Sequence, residues 1–206
     1  MKIKQHVSHS VFQENTYFLF KNNQVLIIDP GDDPSLLIDE INKSKYKVQA
    51  VLATHGHVDH ILAAARICER YFCPFIMSGH DQDIVSSLEN ICLGFRMDYY
   101  GTPQINIDIA DENDLKMGDF TLRILHTPGH TEGGVCFLIE NILFSGDTLF
   151  HHSVGRTDLP GGDHGKLLRS IKDVLYALPD ETIVYPGHMD TTTIGEEKKH
   201  NPFLIL

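Results

Sequence analysis

A short histidine-rich segment of the chain has the residue types and the spacing of a metal-binding motif. Residues 54–60 read T-H-G-H-V-D-H and place three imidazoles and one carboxylate within six positions. In an extended segment, residues i and i+2 point the same way, so His55 and His57 can bind one ion. Where the chain turns into a helix, Asp59 and His60 face a neighbouring position. The segment therefore has ligands for two adjacent metal ions.

The alternative interpretation is a polar loop whose histidines are solvated or hydrogen-bonded to the backbone. A single histidine in such a loop favours that alternative, because isolated motif matches are common. Here four ligand-type groups fall between an apolar run, residues 48–53, and a helix-like segment that begins at Ile61. This concentration favours the metal site.

Three further turns present a ligand-type residue after an apolar run that is prone to form a β-strand. Ligands commonly gather at such strand ends in enzymes built on sheets. The residues are His130, Asp147 and His188, and the runs before them are residues 120–125, 141–144 and 182–184.

The rest of the pattern indicates how these residues are positioned. A chain of 206 residues can form one substantial core, so we expect a single domain over residues 1–206. Amphipathic segments alternate with β-prone runs, which predicts helices packed onto sheets. Besides the three runs above, the predicted strands are residues 15–20, 24–28, 48–53 and 75–77, and the predicted helices are residues 34–44, 61–71, 79–90 and 166–178. Residues 91–117 are the least regular part of the pattern.

Composition excludes several classes of function. The formal net charge is −11, whereas binding of nucleic acid needs a basic surface. A small anionic substrate is still compatible with this charge, because two divalent ions make their own site positive. The chain has neither a long apolar span nor the apolar core of a signal peptide, and its four cysteines form no CxxC pair. We therefore expect a cytoplasmic protein with buried thiols and with no nucleic-acid or membrane partner.

Taken together, these motifs resemble the signature of the metallo-β-lactamase superfamily over essentially the whole chain. Within that superfamily the chain looks most like the short bacterial form of hydroxyacylglutathione hydrolase, or glyoxalase II. The resemblance implies a four-layer αββα sandwich, an α/β fold, in a single domain. It is supported by further segments of the chain, N-T-Y at 15–17, I-D-P-G at 28–31, H-T-P-G-H-T at 126–131, G-D-T-L-F at 146–150 and G-R-T-D-L-P-G-G at 155–162.

The resemblance also implies the ligand sets. His55, His57 and His130 match the first metal position, and Asp59, His60 and His188 match the second, with Asp147 bridging both. The ions are expected to be two divalent metals, with zinc as the first choice and iron or manganese as alternatives. Asp29 is expected either to orient a ligand histidine or to be a plain turn residue.

A mechanism and a substrate follow from the same resemblance. A hydroxide that bridges the two metals is expected to attack an acyl carbonyl, with Asp59 and Asp147 as the catalytic residues. A thioester suits this centre because the leaving thiolate needs little help from an acid. The expected reaction converts S-D-lactoylglutathione to D-lactate and glutathione, and Arg156 is expected to bind a carboxylate of this small anionic thioester. The alternative for Arg156 is a salt bridge to Asp158. Larger glyoxalase II enzymes have a further C-terminal helical region that helps to hold glutathione, so we expect a higher KM here.

Other readings of the pattern are a persulfide dioxygenase with a mononuclear iron site at His55, His130 and Asp147, a lactonase or β-lactamase of the same superfamily, and a non-catalytic metal-binding module. The Pro186-Gly187-His188 motif argues against the iron site, which needs no ligand there. The sequence does not decide whether His151 and His152 border the site, and it favours a structural role for His126. The histidines that receive no role are His6, His9, His80, His164 and His200.

Overall fold

Two six-stranded β-sheets packed against each other form the centre of the computed structural model, which describes residues 1–204. The first sheet is antiparallel over its first three strands and parallel over the rest. Its strands lie side by side in chain order, β1 (Lys2–Val7), β2 (Asn15–Lys21), β3 (Gln24–Ile28), β4 (Lys47–Leu52), β5 (Phe75–Met77) and β6 (Ile107–Asp108).

The second sheet is built from later strands of the chain. These are β7 (Asp114–Met117), β8 (Phe120–His126), β9 (Val135–Ile139), β10 (Ile142–Gly146), β13 (Ile183–Pro186) and β14 (Thr192–Thr193). Their spatial order is β14-β13-β10-β9-β8-β7, in which β10 and β13 are parallel and the other neighbours are antiparallel. A small ribbon of β11 (Leu149–Phe150) and β12 (Ser153–Val154) follows β10.

Helices cover the outer faces of both sheets. Within residues 1–204, none of them is long and apolar enough to cross a membrane. The α-helices are α1 (Pro34–Ser44), α2 (Val58–Ile61), α3 (Ala64–Tyr71), α4 (Gln82–Ser86), α5 (Leu88–Phe95), α6 (His164–Arg169) and α7 (Ile194–His200).

The alternation of side chains along the strands creates three apolar layers. On β2, Tyr17 and Leu19 point into the space between the sheets, whereas Phe18 and Phe20 point to the helices α1 and α3. All four side chains are buried, so this strand is covered on both faces. The outer face of the second sheet is also covered by a helix, because its apolar side chains pack against Leu167 and Ile171 of the helical run that begins with α6. The predicted four-layer αββα sandwich in a single domain is therefore confirmed.

Three predicted helices differ from the observed ones. The segment expected as one helix over 61–71 is two helices, α2 and α3, separated by a turn. The segment expected over 79–90 contains a 3-10 turn (Gly79–Asp81), then α4 and α5, so that helical structure extends to Phe95. The segment expected over 166–178 is a continuous helical run that passes from α6 to a π-helix (Ser170–Val174) and a 3-10 turn (Leu175–Ala177). Apolar periodicity detects the buried face in each case but not these changes of helical pitch.

Candidate metal centre

The predicted ligands lie together at one edge of the sandwich, where strands of both sheets end. A backbone hydrogen bond of 2.9 Å from Val135 to Thr54 joins the two sheets there. The loops that bring the side chains to this edge are those after β4 for residues 55–60, after β8 for His130, after β10 for Asp147 and after β13 for His188. The fold thus assembles residues that are far apart in the sequence.

Three imidazole nitrogens of the first predicted set form a small triangle. His55 Nε2 lies 3.1 Å from His57 Nδ1, His57 Nδ1 lies 2.9 Å from His130 Nε2, and the third side of the triangle is 3.2 Å. Ligands of a tetrahedral zinc ion, with bonds of about 2.0 Å, are separated by about 3.3 Å. The triangle is therefore close to the size that one such ion requires.

The second predicted set lies beside the first and shares Asp147 with it. His188 Nε2 is 3.4 Å from Asp59 Oδ2, and His60 Nε2 is 3.4 Å from Asp147 Oδ1. Asp147 Oδ2 is 3.5 Å from both His130 Nε2, of the first set, and His188 Nε2, of the second. Asp147 thus lies between the two sets, as expected for a bridging ligand.

Two buried polar atoms where the ligand sets meet indicate whether these residues fit metal ions. His60 Nε2 and Asp147 Oδ1 are inaccessible to solvent and make no hydrogen bond to any described part of the chain. Buried polar atoms are rarely left without a partner, because their desolvation is costly. Both are ligand atoms that face the centre, and imidazole and carboxylate together suit divalent zinc, iron or manganese. The arrangement therefore fits a metal site.

The two sets differ in electrostatics. Burial keeps the pKa of His55 well below its usual range, and burial together with nearby His130 lowers the pKa of His57 to about 4. These imidazoles are neutral at pH 7, as metal ligands must be. Burial alone would lower the pKa of His60 and raise that of Asp147. The electrostatic attraction between the two side chains outweighs this effect of burial. The pKa of His60 is therefore raised, and that of Asp147 is held well below its ordinary value.

Four of the histidines have their outer ring nitrogen held by a hydrogen bond. His60 Nδ1 donates to Asp29 Oδ2 at 3.1 Å, so the prediction that Asp29 orients a ligand histidine agrees with the structure. Thr54 donates its hydroxyl to the same carboxylate and accepts from His55 Nδ1 at 3.1 Å. The remaining partners are backbone carbonyls, that of Arg156 for His130 Nδ1 at 2.7 Å and that of Phe12 for His188 Nδ1 at 3.0 Å. Each hydrogen bond orients a ring so that its other nitrogen faces the centre.

Asp81 is a positioning residue that sequence reasoning missed. Its buried carboxylate accepts hydrogen bonds from the backbone of Gly56 at 2.9 Å and of Gly133 at 2.7 Å, and from the Thr131 hydroxyl at 2.8 Å. One carboxylate thereby joins the loop of His55 and His57 to the loop of His130. The sequence offers no signal for this contact, because Asp81 lies in a helix start that is remote from every motif.

The backbone carbonyl of Arg156 contacts the centre through its hydrogen bond to His130, while the Arg156 side chain extends into solvent. The guanidinium forms a bidentate ion pair with Asp158, with both N–O distances at 2.7 Å. The salt bridge that the sequence offered as the alternative for Arg156 is thus present. Of the two undecided histidines, His152 pairs with Glu196 at 2.9 Å, and His126, which was expected to be structural, contacts the Glu112 carbonyl at 2.8 Å.

The fold and the site define a class of protein, an αββα sandwich with a His/Asp metal centre at the sheet edge. The model of the metallo-beta-lactamase superfamily matches residues 9–188. The chain belongs to this superfamily, as the sequence predicted, and membership indicates a metal-dependent hydrolase.

Three relatives illustrate the range of the family. Hydroxyacylglutathione hydrolase GloC of Haemophilus influenzae is 35% identical over an alignment of 206 positions that covers 95% of this chain and 94% of that protein. The BLEG-1 B3 metallo-beta-lactamase is 37% identical, with a TM-score of 0.91 over 98% of this chain and 99% of that one. TTHA1623 in a di-iron-bound form is 35% identical, with a TM-score of 0.87 over 96% and 98%.

Removal of one second-set ligand tests whether the centre holds two ions. We expect His188→Ala to lower the metal content of dialysed protein from two ions per chain to about one, because the second position loses one of its four protein ligands whereas the first keeps His55, His57, His130 and Asp147. His126→Ala is the control and should leave the content unchanged. Elemental analysis gives the count, and one ion per chain in both fully loaded wild type and His188→Ala contradicts the prediction.

The role of Asp81 is tested by a change that leaves its size unchanged. Asp81→Asn replaces one acceptor oxygen by a donor that faces backbone N–H groups, so we expect affinity for the first ion to fall roughly 10- to 100-fold. Asp108→Asn is the matched control, since Asp108 also accepts from two backbone N–H groups but at Gly79 and Ala110. Competition with a chromophoric chelator measures both, and equal losses in the two variants contradict a specific role.

Proposed function

We propose that the protein hydrolyses a 2-hydroxyacyl thioester of glutathione, with S-D-lactoylglutathione as substrate and D-lactate and glutathione as products. The observation that carries the proposal is the position of Asp147, 3.5 Å from a histidine of each ligand set. Such a carboxylate is what a dinuclear hydrolase requires. The similarity to GloC over nearly the full length of both chains supports the choice of substrate.

The residues of the chain have defined tasks in this proposal. His55, His57 and His130 would hold one ion, Asp59, His60 and His188 the other, and Asp147 both. When bound, two divalent ions would ionise a water molecule at neutral pH and polarise the acyl carbonyl. Asp59 and Asp147 are 14% and 12% exposed, so they form part of the floor that a substrate reaches, whereas His60 is fully buried. The thiolate product is a weak base, so no side chain is needed as an acid.

Zinc is our proposed metal, and iron and manganese are alternatives that the same ligand types bind. The di-iron-bound form of the relative TTHA1623 supports iron as an alternative to zinc. We also propose a cytoplasmic location and a small anionic thioester as the binding partner, without nucleic acid. The four free cysteines, three of them buried, favour a reducing compartment.

Several other functions were open from the sequence, and two of them can be compared with the structure. A mononuclear dioxygenase would use His55, His130 and Asp147 as ligands. It would leave unexplained why one ligand atom each of Asp59, His60 and His188 lie within 4.8 Å of one another. Hydrolysis of a β-lactam is the second candidate function. It is favoured by the 37% identity to BLEG-1, and the same activated water can attack a lactam carbonyl.

One preparation distinguishes these activities. With two equivalents of metal, we expect loss of the thioester absorbance of S-D-lactoylglutathione under nitrogen, with kcat/KM above that for a chromogenic cephalosporin. Oxygen uptake with glutathione persulfide is the third assay. An untouched thioester, together with oxygen uptake or faster cephalosporin cleavage, overturns the assignment in favour of the corresponding alternative.

The ion pair of Arg156 allows its substrate role to be tested with a matched variant. Arg156→Ala removes the cation, and we expect KM to rise several-fold with a smaller change in kcat, because a carboxylate contact outside the reacting group contributes uniform binding. Asp158→Asn breaks the same ion pair but keeps the cation, so KM should stay equal or fall. A similar rise of KM in both variants would show that the loop, and not the guanidinium, matters.

A further inference from the structure

A second cluster of ligand-type side chains lies outside the centre described above. His6 is on β1, His9 is in the bend that follows, and Asp32 is in the loop between β3 and α1. His6 Nε2 lies 2.7 Å and His9 Nδ1 lies 3.2 Å from the same oxygen, Asp32 Oδ2. One ligand atom from each residue falls within a span of 4.8 Å. Neither histidine received a role in the sequence analysis, because Asp32 is distant in the chain.

We propose that His6, His9 and Asp32 form an additional binding site for one divalent transition-metal ion. The set contains two imidazole nitrogens and one carboxylate oxygen, which suits Zn²⁺, Ni²⁺ or Cu²⁺. Calcium and magnesium are excluded by class, since they require mostly oxygen ligands. Three protein ligands leave at least one coordination position for water or for a small ligand.

The carboxylate is already ionised and oriented for this task. The Asp32 side chain is only 7% exposed, and its second oxygen accepts from the backbone N–H of Asp33 at 2.8 Å. Burial alone would raise the pKa of Asp32, but hydrogen bonds led by that from His6 lower it below its ordinary value. A ligating carboxylate with its other oxygen hydrogen-bonded is the usual arrangement at metal sites.

The histidines are placed to exchange a hydrogen bond for a metal bond. Without an ion, each ring directs its N–H to Asp32, and the two separations are those of hydrogen bonds. An ion needs ligands about 3.3 Å apart, so the rings must move outward by a few tenths of an ångström. The His9 side chain is 73% exposed and has room for this movement, and its exposure also gives the ion an entry path. Each neutral ring then carries its proton on the other nitrogen.

Occupancy of this site would link two segments that orient second-set histidines. The bend of His9 begins the loop whose Phe12 carbonyl accepts from His188, and the loop of Asp32 also carries Asp29, which accepts from His60. An ion held by His6, His9 and Asp32 therefore cross-links the end of β1 to the loop after β3. We expect binding to raise the melting temperature, since the ion binds the folded chain only.

The experiment counts ions in matched variants under excess Zn²⁺. Equilibrium dialysis of the full chain should give one ion more for wild type than for His9→Ala, and the zinc-dependent rise in melting temperature above the level reached by the loaded centre should disappear in that variant. His164→Ala is the control, because His164 is also exposed and, among the described residues, belongs to none of the ligand clusters. It should bind as many ions as wild type.

The proposal requires no particular activity at the metal centre, so failure of the proposed function does not affect the result. Cu²⁺ provides a second readout, because its electron paramagnetic resonance spectrum reports nitrogen ligands. We expect the extra copper signal of wild type to show nitrogen coupling and to be absent from His9→Ala. Equal ion counts in wild type and His9→Ala, or the same loss in His164→Ala, would overturn the proposal.

Discussion

The outer nitrogens of the ligand histidines determine what the inner nitrogens can do. Each of four rings has one nitrogen fixed to an acceptor, at Thr54, Asp29 or the carbonyls of Arg156 and Phe12. The opposite nitrogens then face the centre, where His55 Nε2 and His130 Nε2 lie 3.2 Å apart. His60 Nε2 and Asp147 Oδ1 face the same centre without a hydrogen bond to the described residues, and a bound cation would satisfy both atoms. The rest of the sandwich can be understood as a scaffold for these acceptors.

Close packing at the centre restricts the residue types around it. A Cβ atom on Gly187 would lie 2.4 Å from Asp147 Oδ1 and 2.6 Å from His60 Cε1. The backbone of the loop after β13 must therefore come directly against the shared carboxylate, which only glycine permits. The neighbouring Asn15 holds the same loop by donating to the carbonyls of Pro186 and Met189. The position of His188 thus depends on a strand of the other sheet.

Sequence reasoning predicted the parts of this protein that local pattern determines. Short β-prone runs identified β2 and β3, amphipathic periodicity identified α1, and the motifs after β4, β8, β10 and β13 identified the candidate ligands. It did not predict Asp81 or the carbonyls of Phe12 and Arg156, because these contacts join distant segments through backbone groups. A backbone carbonyl has no residue-type signature. The pairing of His6 and His9 with Asp32 was not predicted either, because Asp32 is distant from both histidines in the sequence.

The family contains proteins with different reported activities, and the metal centre alone does not distinguish them. GloC and BLEG-1 are similar to this chain to almost the same degree. Selectivity must therefore lie in residues around the centre. We propose Arg156 as one such residue, because its exposed guanidinium is paired only to the neighbouring surface carboxylate of Asp158 among the described residues. A surface ion pair of this kind is weak enough to be replaced by a substrate carboxylate.

The most direct measurement of the central claim is anomalous X-ray diffraction from crystals grown with zinc, recorded on both sides of the zinc absorption edge. We expect two peaks on either side of the Asp147 carboxylate, one surrounded by His55, His57 and His130 and the other by Asp59, His60 and His188. A single peak in crystals that hold zinc in excess, with His60 and His188 turned away from it, would contradict a dinuclear centre.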